Sequence, residues 1–153
     1  MKRIASFCVD HNKLVEGMYT SRVDGDITTY DIRMVIPNGG VYLENAAMHT
    51  FEHLFATYAR NSKFESNIIY VGPMGCRTGF YFLVRDLSPT DAIFLVKESV
   101  DFISKYNDAI PGTTAIECGN YLEHDLDGAK KIASKMVAVL KDWSVDKLEY
   151  TSN

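Results

Sequence analysis

The chain has 153 residues, of which 46% are hydrophobic and 24% are charged, and its formal charge is -4. A globular chain of this length buries roughly 70% of its unfolded surface, so we expect one domain over residues 1–153 that needs no disulfide to hold its core. The 20 acidic and 16 basic residues exclude the positive surface that is typical of nucleic-acid-binding proteins.

The three cysteines, Cys8, Cys76 and Cys118, are widely separated. An odd and scattered set fits neither a secreted disulfide framework nor paired zinc knuckles. No apolar run approaches the ~20 residues of a membrane span, and no segment of signal-peptide type precedes Asp10. We therefore expect a cytoplasmic protein whose thiols stay reduced, with no nucleic-acid or membrane partner.

The first elements are predicted to be strands. Residues 4–9 form a short apolar run that includes Cys8. Residues 27–36 mix β-branched and apolar side chains before a turn, which is typical of a strand. Because side chains alternate along a strand, one face carries Tyr30, Ile32 and Met34. The other face carries Asp31 and Arg33, and these charges are either solvated or functional.

Residues 44–60 predict the first helix, because the segment is rich in alanine and contains neither Gly nor Pro. Its apolar positions extend over more than one face, which indicates a largely buried helix. Residues 66–71 and 79–84 then predict two strands, which are separated by a glycine-containing loop over residues 72–78.

Two further helices follow. Ser88 is a typical N-cap, with Pro89 at the first helical position and Asp91 three residues after the cap. Apolar residues at helical spacing support this helix: Ile93, Val96, Val100 and Ile103. A last helix is predicted over residues 125–141, where one face carries Ala129, Ile132, Ala133, Met136, Val137 and Leu140. The order of elements predicts the α+β class, with a small, mainly antiparallel sheet and helices packed on one face as a two-layer sandwich.

The strongest local signal is an H-x-x-E-H pattern formed by His49, Glu52 and His53 on the first predicted helix. Histidines four residues apart lie one turn apart on the same face, where their imidazoles can share one metal ion. Glu52 then stands beside that ion, in the position of a general base. Inverzincin peptidases share this pattern. The alternative is that these side chains are hydrogen-bonded core residues or lie on an exposed helix surface, and a third ligand decides between the two.

Cys118 is the downstream candidate for a third ligand. A set of two imidazoles and one thiolate leaves the fourth tetrahedral position open for water or substrate, and it suits Zn, Fe(II) or Co better than Mg or Ca. An inverzincin peptidase would instead need a carboxylate ligand and a far longer chain to form a peptide cleft. The length of the chain therefore argues against a peptidase.

Cys76 lies between glycines in the predicted loop. Glycines allow a sharp turn that leaves the thiol accessible, and the neighbouring Arg77 is expected to favour the thiolate. The alternative for a lone cysteine is a small hydrophobic side chain in a turn. Cys8 is interpreted in this second way, because nothing reactive lies near it in the sequence.

Three segments together resemble a known family: residues 49–53 (HTFEH), 73–81 (PMGCRTGFY) and 118–126 (CGNYLEHDL). In their order and approximate spacing they are similar to the signature segments of the S-ribosylhomocysteine lyases, the enzymes of autoinducer-2 synthesis. Further similarity in Asp10, His11 and residues 30–38 extends the resemblance from about Ser6 to the last helix.

The resemblance implies roles for individual residues. His49, His53 and Cys118 match the family's metal ligands, and Glu52 and Cys76 match its two acid–base residues. The metal is Fe(II) in the native enzymes, with Zn or Co able to occupy the site, and no organic cofactor takes part. The implied fold, a small sheet with helices on one face, agrees with the class that the periodicity predicts.

Ser6, His11 and Arg33 match positions that line the sugar and homocysteine site, some of them reaching over from the second subunit of a homodimer. The implied reaction splits the thioether of S-ribosylhomocysteine by carbonyl migration and β-elimination. Its products are homocysteine, of the methionine cycle, and 4,5-dihydroxy-2,3-pentanedione, the autoinducer-2 precursor of quorum sensing. This role would explain why Arg33 lies on an inner strand.

Two residues depart from the family pattern just before Pro73. Tyr70 replaces an acidic residue that helps to hold the amino-acid end of the substrate, and Gly72 replaces a serine. We therefore expect either a divergent lyase with compensating contacts or a relative that acts on a similar thioether sugar. Two other classes stay open: a small metal-dependent hydrolase that uses Glu52 and metal-bound water, and a non-catalytic metal-binding relative.

Overall fold

A four-stranded antiparallel sheet and three α-helices make up the regular structure of residues 1–150, the part of the chain that the computed structural model describes. The strands are β1 (Gly17–Asp24), β2 (Ile27–Arg33), β3 (Ile68–Pro73) and β4 (Gly79–Arg85), in the sheet order β1-β2-β4-β3. The helices are α1 (Asn45–Arg60), α2 (Pro89–Lys105) and α3 (Leu126–Val139). Within these residues, no helix combines the length and the apolar character that a membrane crossing requires.

The core lies between the helices and one face of the sheet. α1 places Phe51 and Phe55 against Phe80 and Phe82 of β4, with ring centroids 5.0 and 5.4 Å apart, and all four rings are fully buried. Burial of each such side chain stabilises the fold by about 1.5–3 kcal/mol relative to exposure. The predicted α+β class, with helices packed on one face of a small antiparallel sheet, is confirmed.

Two of the three helices begin with a side-chain cap, and the cap predicted at Ser88 is confirmed. At the start of α2, the Ser88 side chain accepts a hydrogen bond from the Asp91 backbone N–H at 3.1 Å. Asp125 caps α3 in the same way and accepts from the Gly128 backbone N–H at 2.9 Å. Because Gly128 has no side chain, α3 can approach α1 closely: a Cβ there would lie 2.8 Å from the Ala47 Cβ. This close approach brings the start of α3 next to the histidines of α1.

Two predictions about strands are corrected, and one strand of the structure was not predicted. Residues 4–9 are not a strand but contain a 3-10 turn at Ala5–Phe7, because the segment bonds locally instead of pairing with the sheet, and Cys8 is exposed. β2 ends at Arg33 rather than at residue 36. The sequence prediction lacks β1, although the Asp-Gly pair at its end is a strong hairpin signal.

The segment after α3, residues 140–150, runs along the outer edge of β1, and we call it the C-terminal segment. Trp143 Nε1 donates to a backbone carbonyl of β1 at 2.8 Å, and the Thr20 N–H donates to the Leu148 carbonyl at 2.7 Å. Gly17 is required beside it, because a Cβ at that position would overlap the Trp143 ring. The segment thereby reaches the sheet face that lies opposite the helices.

The charged face of β2 is buried under this segment and the N-terminal residues. Asp31 is 1% exposed and Arg33 is 3% exposed. Together with Ser6 and Tyr150 they line a small cavity. The solvated alternative for these two charges is therefore wrong.

Candidate active site

His49 and His53 project from one face of α1, one turn apart. Their rings are perpendicular, with centroids 4.6 Å apart. Each Nδ1 donates a hydrogen bond of 2.8 Å to a backbone carbonyl, His49 to Glu123 and His53 to Pro111. Because a carbonyl only accepts, the proton is on Nδ1, and each Nε2 is left with the lone pair that binds a metal.

Cys118 lies in the loop between α2 and α3 and brings its thiol to these rings. Its Sγ is 3.4 Å from His49 Nε2, and the Asn120 backbone N–H points at the same sulfur from 3.4 Å. The structure therefore places the three predicted ligands together, although 69 residues separate His49 from Cys118 along the chain.

His124 is a fourth member of this cluster that the sequence prediction lacks. The donor atoms of His49, His53, Cys118 and His124 all lie within 4.8 Å of one another. The His124 ring stacks on the His49 ring, with centroids 4.0 Å apart and planes inclined by 22°. The only signal for it was its place in the segment 118–126, since no spacing relates it to the H-x-x-E-H pattern.

One nitrogen of His124 has no protein partner. Its Nδ1 pairs with the Thr50 hydroxyl at 3.0 Å, whereas Nε2 is buried without a hydrogen bond to any residue in 1–150. Burial, and then the nearby imidazoles of His49 and His53, lower the pKa of His124 and favour its neutral form. A buried nitrogen without a partner is costly, so this cluster of imidazoles and a thiol fits a divalent cation of the Zn, Fe(II) or Co type.

The ring planes distinguish His124 from the three predicted ligands. An imidazole nitrogen binds a metal in the plane of its ring, at about 2.0–2.1 Å. The planes of His49 and His53 are perpendicular, so both nitrogens can point at one ion. The planes of the stacked His49 and His124 rings are nearly parallel and do not meet at bonding distance unless one ring rotates. The geometry thus favours His49, His53 and Cys118 as a set with one open position.

Cys76 lies in the predicted loop and is exposed at the wall of a cavity of about 350 Å³. Three other predicted site residues line the same cavity: Ser6, His11 and Arg33. His11 is oriented by its Nδ1, which donates to the Val9 carbonyl at 2.9 Å. One cavity therefore combines the predicted thiol with all the predicted substrate-binding residues.

Arg33, not Arg77, is the cation beside the thiol of Cys76. Arg33 Nη1 is 3.9 Å from the Cys76 sulfur and donates to the Thr78 hydroxyl at 2.5 Å. The Thr78 oxygen is in turn 3.0 Å from the same sulfur. Arg77 donates to the Leu43 carbonyl at 3.3 Å instead. The expected role of Arg77 is therefore wrong, and Thr78, which sequence reasoning missed, links the guanidinium to the thiol.

The two predicted acid–base residues lie in different parts of one chain. Glu52 is half-buried on α1, next to His53 in sequence. Among residues 1–150, neither Glu52 nor any member of the imidazole–thiol cluster lines the cavity of Cys76. A single chain thus carries two partial sites rather than one complete site.

An α+β protein with an imidazole–thiol cluster and a polar cavity that presents a thiol has the features of a metal-dependent enzyme for a small molecule. The model of the LuxS family, described as S-ribosylhomocysteinase, matches residues 4–147. The chain belongs to this family, and the resemblance predicted from its three segments is confirmed.

Relatives with the name S-ribosylhomocysteine lyase match nearly the whole chain. The protein of Phocaeicola vulgatus is 45% identical over 98% of each chain. The protein of Clostridium acetobutylicum is 44% identical over 98% of this chain and 99% of its own length. The protein of Borreliella burgdorferi (strain ZS7) has the same identity and coverage. The similarity thus covers both partial sites.

Proposed function

We propose that this chain splits the thioether of S-ribosylhomocysteine into homocysteine and 4,5-dihydroxy-2,3-pentanedione. The family and the names of the relatives confirm the predicted class of activity, a carbon–sulfur lyase of autoinducer synthesis. One observation carries the proposal: the chain has both an imidazole–thiol cluster and a separate cavity that presents Cys76 beside Arg33. A metal-dependent hydrolase needs only the cluster, whereas the lyase needs both.

His49, His53 and Cys118 would hold one divalent metal, for which Fe(II) is proposed, with Zn or Co as substitutes. When bound there, such an ion would supply Lewis acidity, the property that makes a C–H beside a carbonyl acidic enough to remove. The backbone carbonyls of Glu123 and Pro111 support this role, because they orient both imidazoles. The proton transfers need no organic cofactor.

Glu52 and Cys76 are proposed to move the protons. Removal of a proton from the carbon beside an aldehyde, and its return to the neighbouring position, shifts the carbonyl along the sugar. When the carbonyl is two bonds from the C–S bond, enolisation expels the homocysteine thiolate by β-elimination, and no oxidant is consumed. Each positioned group is expected to accelerate the reaction by about 10²–10⁴-fold.

We propose that the complete site forms across a homodimer, with Ser6, His11 and Arg33 holding the sugar and homocysteine ends of the substrate. Exposed apolar side chains in the segments that form both partial sites support this arrangement, because apolar surface that is exposed in one chain is typical of interaction surfaces. Near the Cys76 cavity they are Ile4, Phe7, Ile36, Val41 and Tyr42, and on the loop of Cys118 they are Ile116, Tyr121 and Leu122. Ile116 is 97% exposed and Leu122 is 80% exposed.

The activity is tested by incubating the metal-loaded protein with S-ribosylhomocysteine, without added thiols or oxygen, and titrating free thiol. We expect one new thiol for each substrate consumed, and none after treatment of the protein with a chelator. A metal-loaded protein that releases no thiol would rule out the proposed reaction.

We place the protein in the cytoplasm. Both Cys76 and Cys118 are free thiols in the structure, and the mechanism uses one as an acid–base group and the other as a ligand. Oxidation of either would stop the reaction, so the proposal requires a reducing compartment.

His124 favours a second candidate function, a closed metal site of structural or sensory type. Its buried Nε2 lacks a partner within residues 1–150, and rotation of its ring would supply a fourth ligand. X-ray absorption of the metal-loaded protein distinguishes the two functions. Four protein ligands without an exchangeable water would favour the closed site, whereas three protein ligands and a water would favour the lyase.

Tyr70 and Gly72, the two departures from the family pattern, form one contact. The Tyr70 ring lies over Gly72, where a Cβ would overlap the hydroxyl end of the ring. Gly72 also pairs in register with Tyr81, which lines the cavity of Cys76. A serine at position 72 therefore requires the Tyr70 ring to move. The residue types at positions 70 and 72 are thus sterically coupled.

Gly72→Ser is expected to lower the free energy of unfolding by at most about 1 kcal/mol, because the new side chain displaces only the far end of the Tyr70 ring, which is 51% exposed. In a Tyr70→Asp background, Gly72→Ser should lower the free energy of unfolding by less than about half as much, because the smaller aspartate side chain leaves room for the serine. Denaturant unfolding of the two single variants and the double variant measures this coupling. Additive effects would contradict it.

A further inference from the structure

Tyr150 contacts the charged face of β2 behind the cavity of Cys76. Its hydroxyl donates to Asp31 Oδ2 at 2.9 Å. Its ring stacks on Tyr19 of β1, with centroids 5.2 Å apart and planes inclined by 18°. Both the ring and the hydroxyl of Tyr150 are therefore fixed against the sheet.

Asp31 joins Tyr150 to Arg33. Arg33 Nη2 donates to the same carboxylate oxygen at 2.6 Å, and the two side chains are 4% and 2% exposed. A buried ion pair of this kind is stable only when further hydrogen bonds complete it. Asp31 Oδ1 and Arg33 Nε have no hydrogen-bond partner within residues 1–150. The hydroxyl of Tyr150 is thus one of the few contacts that hold the carboxylate.

The Arg33 guanidinium also extends to the cavity of Cys76. Its other terminal nitrogen, Nη1, bonds to Thr78 and approaches Cys76, as described above. A connected path of side chains therefore runs from the C-terminal segment, through Asp31 and Arg33, to the predicted thiol.

The C-terminal segment is well placed to support this path. Trp143 attaches it to β1 through its indole N–H, and Leu148 does so through its backbone carbonyl. Burial, and then the charge of Asp31, raise the pKa of Tyr150 above its ordinary value. The hydroxyl therefore keeps its proton, and with it the ability to donate, at neutral pH.

We propose that Tyr150 is a positioning residue, and that the C-terminal segment is a strap which holds the Arg33 guanidinium in the cavity through the carboxylate of Asp31. This inference rests on the proposed function, in which Arg33 binds the substrate. Tyr150 itself touches neither the substrate nor the reacting atoms.

Tyr150→Phe tests the strap, because it removes the hydroxyl and keeps the stacked ring. We expect KM for S-ribosylhomocysteine to rise about tenfold, as for the loss of one hydrogen bond to a charged group, while kcat stays within about twofold. Tyr19→Phe is the matched control, since it removes the other hydroxyl of the stack, which donates to the Val15 carbonyl at 3.1 Å. We expect it to leave both constants unchanged.

A second readout is independent of turnover. The Nε–Hε NMR signal of Arg33, assigned with Arg33→Lys, should shift in Tyr150→Phe and stay in place in Tyr19→Phe. In an active protein, an unchanged KM or an unchanged Arg33 signal in Tyr150→Phe overturns the strap. If the unaltered protein releases no thiol, the proposed function fails, and the Arg33 signal alone decides whether the strap exists.

Discussion

Cys76→Ala is expected to slow thiol release from S-ribosylhomocysteine by about 10²–10⁴-fold, the contribution of one positioned acid–base group. The thiol lies in a cavity beside Arg33 and Thr78, and no other cysteine among residues 1–150 lines that cavity. Initial rates of thiol release measure the effect. The metal content, measured by elemental analysis of the same samples, should stay unchanged, because the imidazole–thiol cluster is separate from this cavity.

Cys8→Ala is the matched control for this prediction. Cys8 is also an exposed, free cysteine, but it does not line the cavity of Cys76. We expect its removal to leave the rate unchanged. Undiminished turnover in Cys76→Ala would exclude the lyase mechanism and favour the hydrolase, which uses Glu52 without a thiol.

Cys118→Ala is expected to weaken metal binding by at least about a hundredfold, because a structural site of four ligands supplies about 10–16 kcal/mol in total. The loss of the metal should abolish thiol release as well. Competition with a coloured chelator measures the affinity. In the cobalt-loaded variant, the thiolate-to-cobalt charge-transfer band should also disappear. Its loss would show directly that the Cys118 sulfur is a ligand in the unaltered protein.

His124→Asn is the control that separates a ligand from a neighbour. The His124 ring stacks on His49 at 4.0 Å, and the two ring planes do not converge on one ion. We therefore expect metal affinity to fall by no more than about 10–100-fold, the range of an outer-shell change, and by less than in Cys118→Ala. A loss as large as that of Cys118→Ala would show that His124 is a ligand and would favour the closed site.

Local spacing explains why part of the site could be predicted. His49 and His53 are four residues apart, so helical geometry alone places them on one face. The cap at Ser88 and the buried row on α2 are also local, and both are confirmed. Helical spacing could not supply a third ligand; Cys118 was a candidate as the downstream cysteine, and the family resemblance then matched it to a metal ligand.

The remaining site residues come from contacts between distant parts of the chain. Thr78 is hydrogen-bonded to Arg33, which lies 45 residues away along the chain, and Tyr150 is hydrogen-bonded to Asp31, which lies 119 residues away. No sequence period relates such positions. The same reason explains the error at Arg77, because its side chain donates to the distant Leu43 carbonyl, whereas Arg33 approaches the Cys76 thiol. The segment 4–9 has the composition of a strand, but it lacks a partner edge in the sheet.

The loop between α2 and α3, residues 106–125, is attached to α1 through Thr50, which bonds to His124 and Asp125, and through the two histidine rings of this helix. Pro111 and Glu123 accept their hydrogen bonds, Cys118 lies against His49, and Gly112 is so close to His53 that a Cβ would lie 3.2 Å from its ring. An ion bound here would join this long loop to a core helix at a single point. In a reducing compartment, the metal would then link distant parts of the chain as a disulfide does in secreted proteins. The catalytic reaction and the resistance of this loop to local unfolding would therefore both depend on the bound metal ion.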